Sequence, residues 1–145
     1  MRLKSALVFT IAFLVQAPAM AADAAHRAQL FKNPQCECCE AYADYLRQNG
    51  FEVTVEATHD LPLIKHRFGV KEHLEGCHTT LIDGYVIEGH VPIAMINRLI
   101  EEHPTIRGIS LPGMPAGSPG MMGEKEEPLV IYEIGNGPEH VYGTE

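Results

Sequence analysis

Residues 32–42 read KNPQCECCEAY and place Cys36, Cys38 and Cys39 within four positions. Just upstream, Ala28-Gln29-Leu30-Phe31-Lys32 has the length and apolar content of a short strand that ends at Asn33-Pro34. Downstream, Cys36 to Asn49 has helical spacing, with Tyr42, Tyr45 and Leu46 on one stripe and Gly50 as the stop. Cys36 and Cys39 thus form a C-x-x-C between a strand and a helix start, the setting in which that spacing carries redox or metal chemistry. The positive end of the helix dipole favours the thiolate, which is both the nucleophile and the metal ligand. Cys38 is one sulfur more than a redox pair needs. With Cys36 as cap, Cys38 and Cys39 lie in the first turn about 100° apart and engage different atoms. Three sulfurs in so tight a turn suit a cluster with bridging thiolates better than one isolated ion. Glu37 and Glu40 make the turn less electropositive and oppose free thiolates unless a cation is present.

The remaining chain supplies the frame. Phe51 to Glu56 alternates with period two as a half-buried strand. Asp60 to Phe68 reads as a second helix, with Asp60 as its cap, Pro62 in its first turn and Gly69 beyond it. Thr79 to Ile82 and Tyr85 to Ile87 flank Asp83-Gly84, a two-residue hairpin signal. Pro92 to Glu102 is a third helix, ended before Pro104, with Met95, Ile96 and Leu99 on its apolar face. The order strand-helix-strand-helix-hairpin-helix is that of a thioredoxin-like α/β domain. A Pro/Gly/Met-rich loop, Leu111 to Met122, follows, and Leu129 to Ile134 adds an edge strand. The domain is expected over residues 28–134, with 135–145 as a flexible tail.

That topology decides what meets the cysteine turn. The loop that opens the third strand carries Cys77-His78 and lies beside the first helix's N-terminus. The fourth strand runs parallel to the first, so Gly89-His90 reaches the same sheet edge. Two imidazoles and four thiols converge, a donor set for Cu(I) or zinc with nitrogen ligands suited to copper in either common oxidation state. An eleven-residue third helix carries the chain ~16 Å away, and Ile106 to Leu111, if extended, returns it by ~20 Å. Met114 can then offer a thioether, a weak ligand that favours Cu(I). His59, His66, His73, His103 and His140 lie in polar, helical or terminal contexts and are expected at the surface.

Composition bounds the function. The chain has 145 residues, four cysteines and a net charge of −8. Met1-Arg2-Leu3-Lys4, an apolar run from Ala6 to Val15 and Ala17-Pro18-Ala19-Met20-Ala21 make the three-part pattern of a cleavable signal peptide over residues 1–21, too short for a membrane span. Loss of Arg2 and Lys4 would take the charge from −8 to about −10. That balance argues against nucleic acid and anionic membrane surfaces as partners. Export to the periplasm is expected, where unpaired thiols need a reason to persist.

The sequence Cys36-to-Cys39 C-x-C-C, the Gly76-to-Thr79 GCHT, the Asp83-to-Val86 DGYV, the Gly89-to-Pro92 GHVP and the Pro112-to-Met121 PGMPAGSPGM together resemble the CopG-type family. These are exported, thioredoxin-like proteins associated with bacterial copper resistance, and the similarity runs from about Leu30 to Ile134. The resemblance implies a copper site built from Cys36, Cys38, Cys39 and Cys77, holding one or more Cu(I) ions, with a role in Cu(II)/Cu(I) conversion. Ligand roles for His78, His90 and Met114 rest on the topology above. The expected partners are copper ions and copper-handling or electron-donor proteins. One departure separates the chain from ordinary thioredoxins: their third strand is preceded by a cis-proline, and Cys77-His78-Thr79 stands there instead. Two other readings stay open at this level. One is a thiol–disulfide oxidoreductase with Cys36 as nucleophile and Cys39 as resolving thiol. The other is a zinc- or disulfide-stabilised binding module. The residues do not say whether copper is only held or also turned over as by a copper oxidoreductase.

Overall fold

Every element expected from Ala28 onward is present in the computed structural model, which describes residues 25–145. The expected signal peptide, residues 1–21, lies outside the described residues. In chain order the elements are β1 (Arg27–Lys32), α1 (Glu37–Gln48), β2 (Glu52–Ala57), α2 (Leu61–Arg67), β3 (His78–Ile82), β4 (Tyr85–Glu88), α3 (Ile93–Glu102), β5 (Gly108–Ser110), β6 (Val130–Ile134) and β7 (Val141–Thr144), with a short 3-10 turn at Glu72–Leu74. The strands form one seven-stranded mixed sheet in the order β2-β1-β3-β4-β5-β6-β7. β1 runs parallel to β2 and antiparallel to β3, and β3 runs antiparallel to β4. β4 is parallel to β5, and β5, β6 and β7 continue antiparallel.

Helix α1 buries Cys39, Tyr42, Ala43 and Leu46, a spacing of three, one and three that keeps one face on the sheet. Its stop is as expected: the N–H groups of Asn49 and Gly50 fold back on the last carbonyls, and Gly50 takes a φ of +89°. The Asp83-Gly84 turn has φ of +49° and +85°, the doubly left-handed form that matches the twist of a β3–β4 hairpin. The core lies between the sheet and helices α1 and α3, where Leu30, Ile87, Ile96, Leu99, Ile109 and Ile131 are fully buried. Met95 packs against that core, and His59, His66, His73, His103 and His140 are exposed, all as expected.

Two strands go beyond the sequence reading. β5 is three residues long and buried throughout, so it carries no alternation from which a strand can be read. Residues 135–145, expected as a flexible tail, are corrected: Val141–Thr144 is a strand. Leu129 and Glu145 exchange both backbone hydrogen bonds, and the Arg98 guanidinium lies 4.6 Å over the Tyr142 ring. A four-residue strand has almost no signal of its own; it is stable here because β6 is already ordered by β5.

Candidate metal centre

The strand–helix junction brings the cysteine turn to the sheet edge. Cys36 is the N-cap of α1 with an extended backbone, and it makes no side-chain cap bond, so its sulfur is free for other work. Cys36 and Cys39 form a disulfide, whereas Cys38 and Cys77 are free thiols. Cys38 Sγ lies 3.4 Å from Cys36 Sγ and 3.7 Å from Cys77 Sγ, and Cys39 Sγ lies 3.6 Å from Cys77 Sγ. All four sulfurs fall within 4.8 Å of one another. Cys77 also belongs to a second group with His78 and His90, again within 4.8 Å. Its Sγ is 3.3 Å from His78 Nδ1 and 2.9 Å from His90 Nε2. One thiol therefore joins the sulfur group to the imidazole group.

The imidazoles are prepared as ligands in different ways. His90 Nδ1 lies 2.7 Å from the Pro119 carbonyl oxygen. A carbonyl only accepts, so Nδ1 carries the proton and Nε2 presents its lone pair to Cys77. This backbone clamp on the far nitrogen is the outer support that metal-ligating histidines usually have. His78 is fully buried, and its Nε2 has no hydrogen-bond partner among the described residues. An orphaned buried nitrogen costs about 1–3 kcal/mol; the His78 nitrogen beside the thiol is the other one, Nδ1, at 3.3 Å from Cys77 Sγ.

Tyr42 packs against both rings, with centroids 4.5 Å from His78 and 5.3 Å from His90. Its hydroxyl donates to the Val91 carbonyl at 2.8 Å, and burial raises its pKa well above the ordinary value, which keeps it a donor. Tyr42→Phe should therefore leave the ring in place, unpair a buried carbonyl and cost about 1–2 kcal/mol in urea unfolding.

Burial shifts the donors in consistent directions. It pushes the Cys77 thiol up to about 12, helped by the neighbouring Cys38. It pulls His78 well below its ordinary value, with His90 and Lys65 adding to the effect, and it lowers His90 against the opposing Pro119 bond. Without metal the centre thus holds a protonated Cys77 whose S–H points to neutral His90, and metal binding must release that proton. The shifts also fix a pH dependence. The unfolded chain takes up imidazole protons near pH 6.5, while the folded chain resists them, so stability is full above that value and is lost as pH falls. At the other end, unfolded Cys77 ionises near its ordinary 9.0 while the folded thiol waits until about 12, so stability declines again across that range. Metal-free protein should show its highest Tm between about pH 6.5 and 9 by calorimetry.

Met114 lies on the loop that borders the centre. Its side chain is 56% exposed, on the loop whose Gly113 bridges Gly76, one residue before Cys77. Three contributors were not read from the sequence. The Pro119 carbonyl is backbone and has no residue-type signal. Lys32, only 2% exposed, donates to the carbonyls of Asn33, Pro34 and Cys36 at 3.2–3.3 Å and pairs with Glu40 at 3.0 Å. It ties β1 to the cysteine turn. Glu88 is fully buried, accepts from the Gly76 N–H and pairs with Lys65. A lysine ending one apolar strand and a glutamate ending another are the signals that were there to see.

No curated protein matches the chain. A family described as "Protein of unknown function, DUF411" matches residues 74–121, the span that holds Cys77, His78, His90 and Met114. Among solved structures, "Copper resistance protein copG- Form 2" is 34% identical, with 84% of this chain and 99% of that chain covered and a TM-score of 0.78. The Form 1 structure is 36% identical, with 82% and 96% covered and a TM-score of 0.76. With a third of its residues shared over nearly the full length of those proteins, the chain belongs to the family of CopG copper resistance proteins.

Proposed function

We propose that the protein is an exported, periplasmic copper-binding protein of copper homeostasis and resistance, built on a thioredoxin-like scaffold. It holds several Cu(I) ions among Cys36, Cys38, Cys39 and Cys77 and accommodates Cu(II) at His78 and His90. The single observation that carries this reading is Cys77, whose sulfur lies 2.9 Å from an imidazole nitrogen and within 3.7 Å of two other sulfurs. Thiolates favour Cu(I), imidazoles suit both oxidation states, and one shared sulfur lets an ion pass between them. The C-x-C-C at the start of α1 beside the β2-β1-β3-β4 part of the sheet supports the scaffold reading. The basic and apolar pattern of residues 1–21 supports export.

The Cys36–Cys39 pair gives the reading its redox side. Two Cu(II) ions and the two thiols yield two Cu(I) ions, one disulfide and two protons. Such a step leaves a Cys36–Cys39 disulfide, and a bond between these two sulfurs supports the reading. A thiol donor then returns two electrons and two protons and reopens the site, which is the place for an electron-donor partner. Met114 serves the same site as an exposed thioether that takes Cu(I) first.

Reduced protein titrated anaerobically with Cu(I) against a chelator should bind more than one ion per chain. Zinc alone at one ion per chain, with loss of folding on chelation, overturns the reading. A second reading, thiol–disulfide exchange by Cys36 and Cys39, is favoured by the disulfide at the helix start. Copper-free protein that reduces insulin at rates unaffected by copper would establish it instead.

A further inference from the structure

The two residues that flank Cys77-His78 are gripped by one carboxylate. Glu88, at the end of β4, is fully buried. Its Oε1 accepts from the Gly76 N–H at 2.7 Å, and its Oε2 accepts from the Thr79 hydroxyl at 2.6 Å. Lys65 on α2, itself 3% exposed, pairs with Oε1 and donates to Thr79 Oγ1 at 3.4 Å. Every polar atom of this network has a partner, and Thr79 stands directly opposite Glu88 in the β3–β4 ladder. Glu88 is also two residues before His90, and the Gly89 N–H donates to the His78 carbonyl at 3.0 Å.

A buried ion pair is weak support for stability, because desolvation offsets most of the attraction. Its usual use is to fix one arrangement among alternatives. Here the arrangement is specific: Gly76 and Thr79 bracket Cys77 and His78, and the same residue belongs to the strand that delivers His90. We propose that Glu88, paired with Lys65, is the positioning residue of the thiol–imidazole group, fixing Cys77 and His78 against His90 before any metal arrives. The proposal rests on the copper-site reading for its purpose but not for its test. Glu88 touches none of the donor atoms; it acts through the backbone on either side of Cys77.

The test compares wild type, Glu88→Gln, and the double variant Lys65→Met with Glu88→Met, whose apolar pair removes both buried charges and preserves folding if the glutamine variant does not fold. The first readout needs no metal: the alkylation rate of Cys77 in metal-free protein, mapped by mass spectrometry against Cys38, together with hydrogen exchange at the Gly76 amide. Loosening of the bracket should raise Cys77 alkylation and Gly76 exchange at least tenfold and leave Cys38 unchanged. The second is copper titration, in which Cu(II) binding at the imidazole group should weaken by about 10–100-fold, the range for outer residues that orient ligands. Cu(I) uptake by the remaining sulfurs should persist. Folded variants with wild-type Cys77 alkylation overturn the proposal. Wild type that binds no copper overturns the copper reading alone, and the alkylation and exchange rates then decide this one.

Discussion

Cys38→Ser should reduce the copper bound per chain by at least one ion and weaken what remains by at least about 100-fold, more than outer-residue changes do. Cys38 Sγ stands between Cys36 Sγ at 3.4 Å and Cys77 Sγ at 3.7 Å, so it bridges the helix turn to the β3 side of the centre. With the Cys36–Cys39 disulfide closed, Cys38 and Cys77 are the free thiols among the described residues. Removing Cys38 leaves a single thiol and two imidazoles in that state. In the reduced protein used for titration it leaves three thiols without the one that joins Cys36 to Cys77. A serine hydroxyl is a hard ligand and does not hold Cu(I) in place of a thiolate. A protein that works by disulfide exchange would respond differently, because Cys36 and Cys39 remain. Anaerobic Cu(I) titration and insulin reduction on the same preparation separate the two. Unchanged copper stoichiometry would falsify the cluster.

The largest effect on the fold near the centre is expected from Gly89→Ala. Gly89 has a φ of +73°, and an added Cβ would lie 2.4 Å from the Leu111 carbonyl oxygen. Backbone strain and overpacking against a β4–β5 neighbour that cannot move aside together cost about 2–4 kcal/mol. For a domain of this size the Tm should fall on the order of 10 °C. The site has reason to need the glycine: Gly76 approaches so closely that a Cβ there would meet Gly89 Cα at 2.5 Å. This contact of two bare backbones lets the Cys77 and His90 segments lie side by side. Residual folded Gly89→Ala protein should keep its cysteine cluster and lose the Cys77–His90 contact. A melt within about 1 °C of wild type would mean that Leu111 is free to yield, contrary to its place in the β4–β5 connection.

Periodicity carried the elements that bury one face. The α1 stripe, the alternating β2 strand and the Asp83-Gly84 turn each have a local pattern that only one secondary structure satisfies. β5 and β7 have no such pattern, since three buried residues and a four-residue edge take their conformation from the strands beside them. The site shows the same division. Cys36, Cys38, Cys39, Cys77, His78 and His90 were legible because thiols and imidazoles are rare and chemically marked, and the element order brings them to one sheet edge. Met114 was placed there by chain length alone, which fixes where a backbone can reach but not where a side chain points. Glu88, Lys65 and Lys32 were missed because a charged residue in a strand or helix is ordinarily a solvated one.

The sequence alone determined the donor set and the strand–helix junction that holds it, because spacing within one turn of helix is local geometry. What the tertiary structure decided is the joining of the two donor groups. Cys77 lies 39 positions from Cys38 and 13 from His90 along the chain, and all three meet within hydrogen-bonding range of a single sulfur. The Pro119 carbonyl and the buried Glu88 then set which imidazole nitrogen is free and where the sulfur stands. Those are contacts of backbone and of buried charge, which cost too much to leave unpaired and so exist only where packing supplies both partners at once.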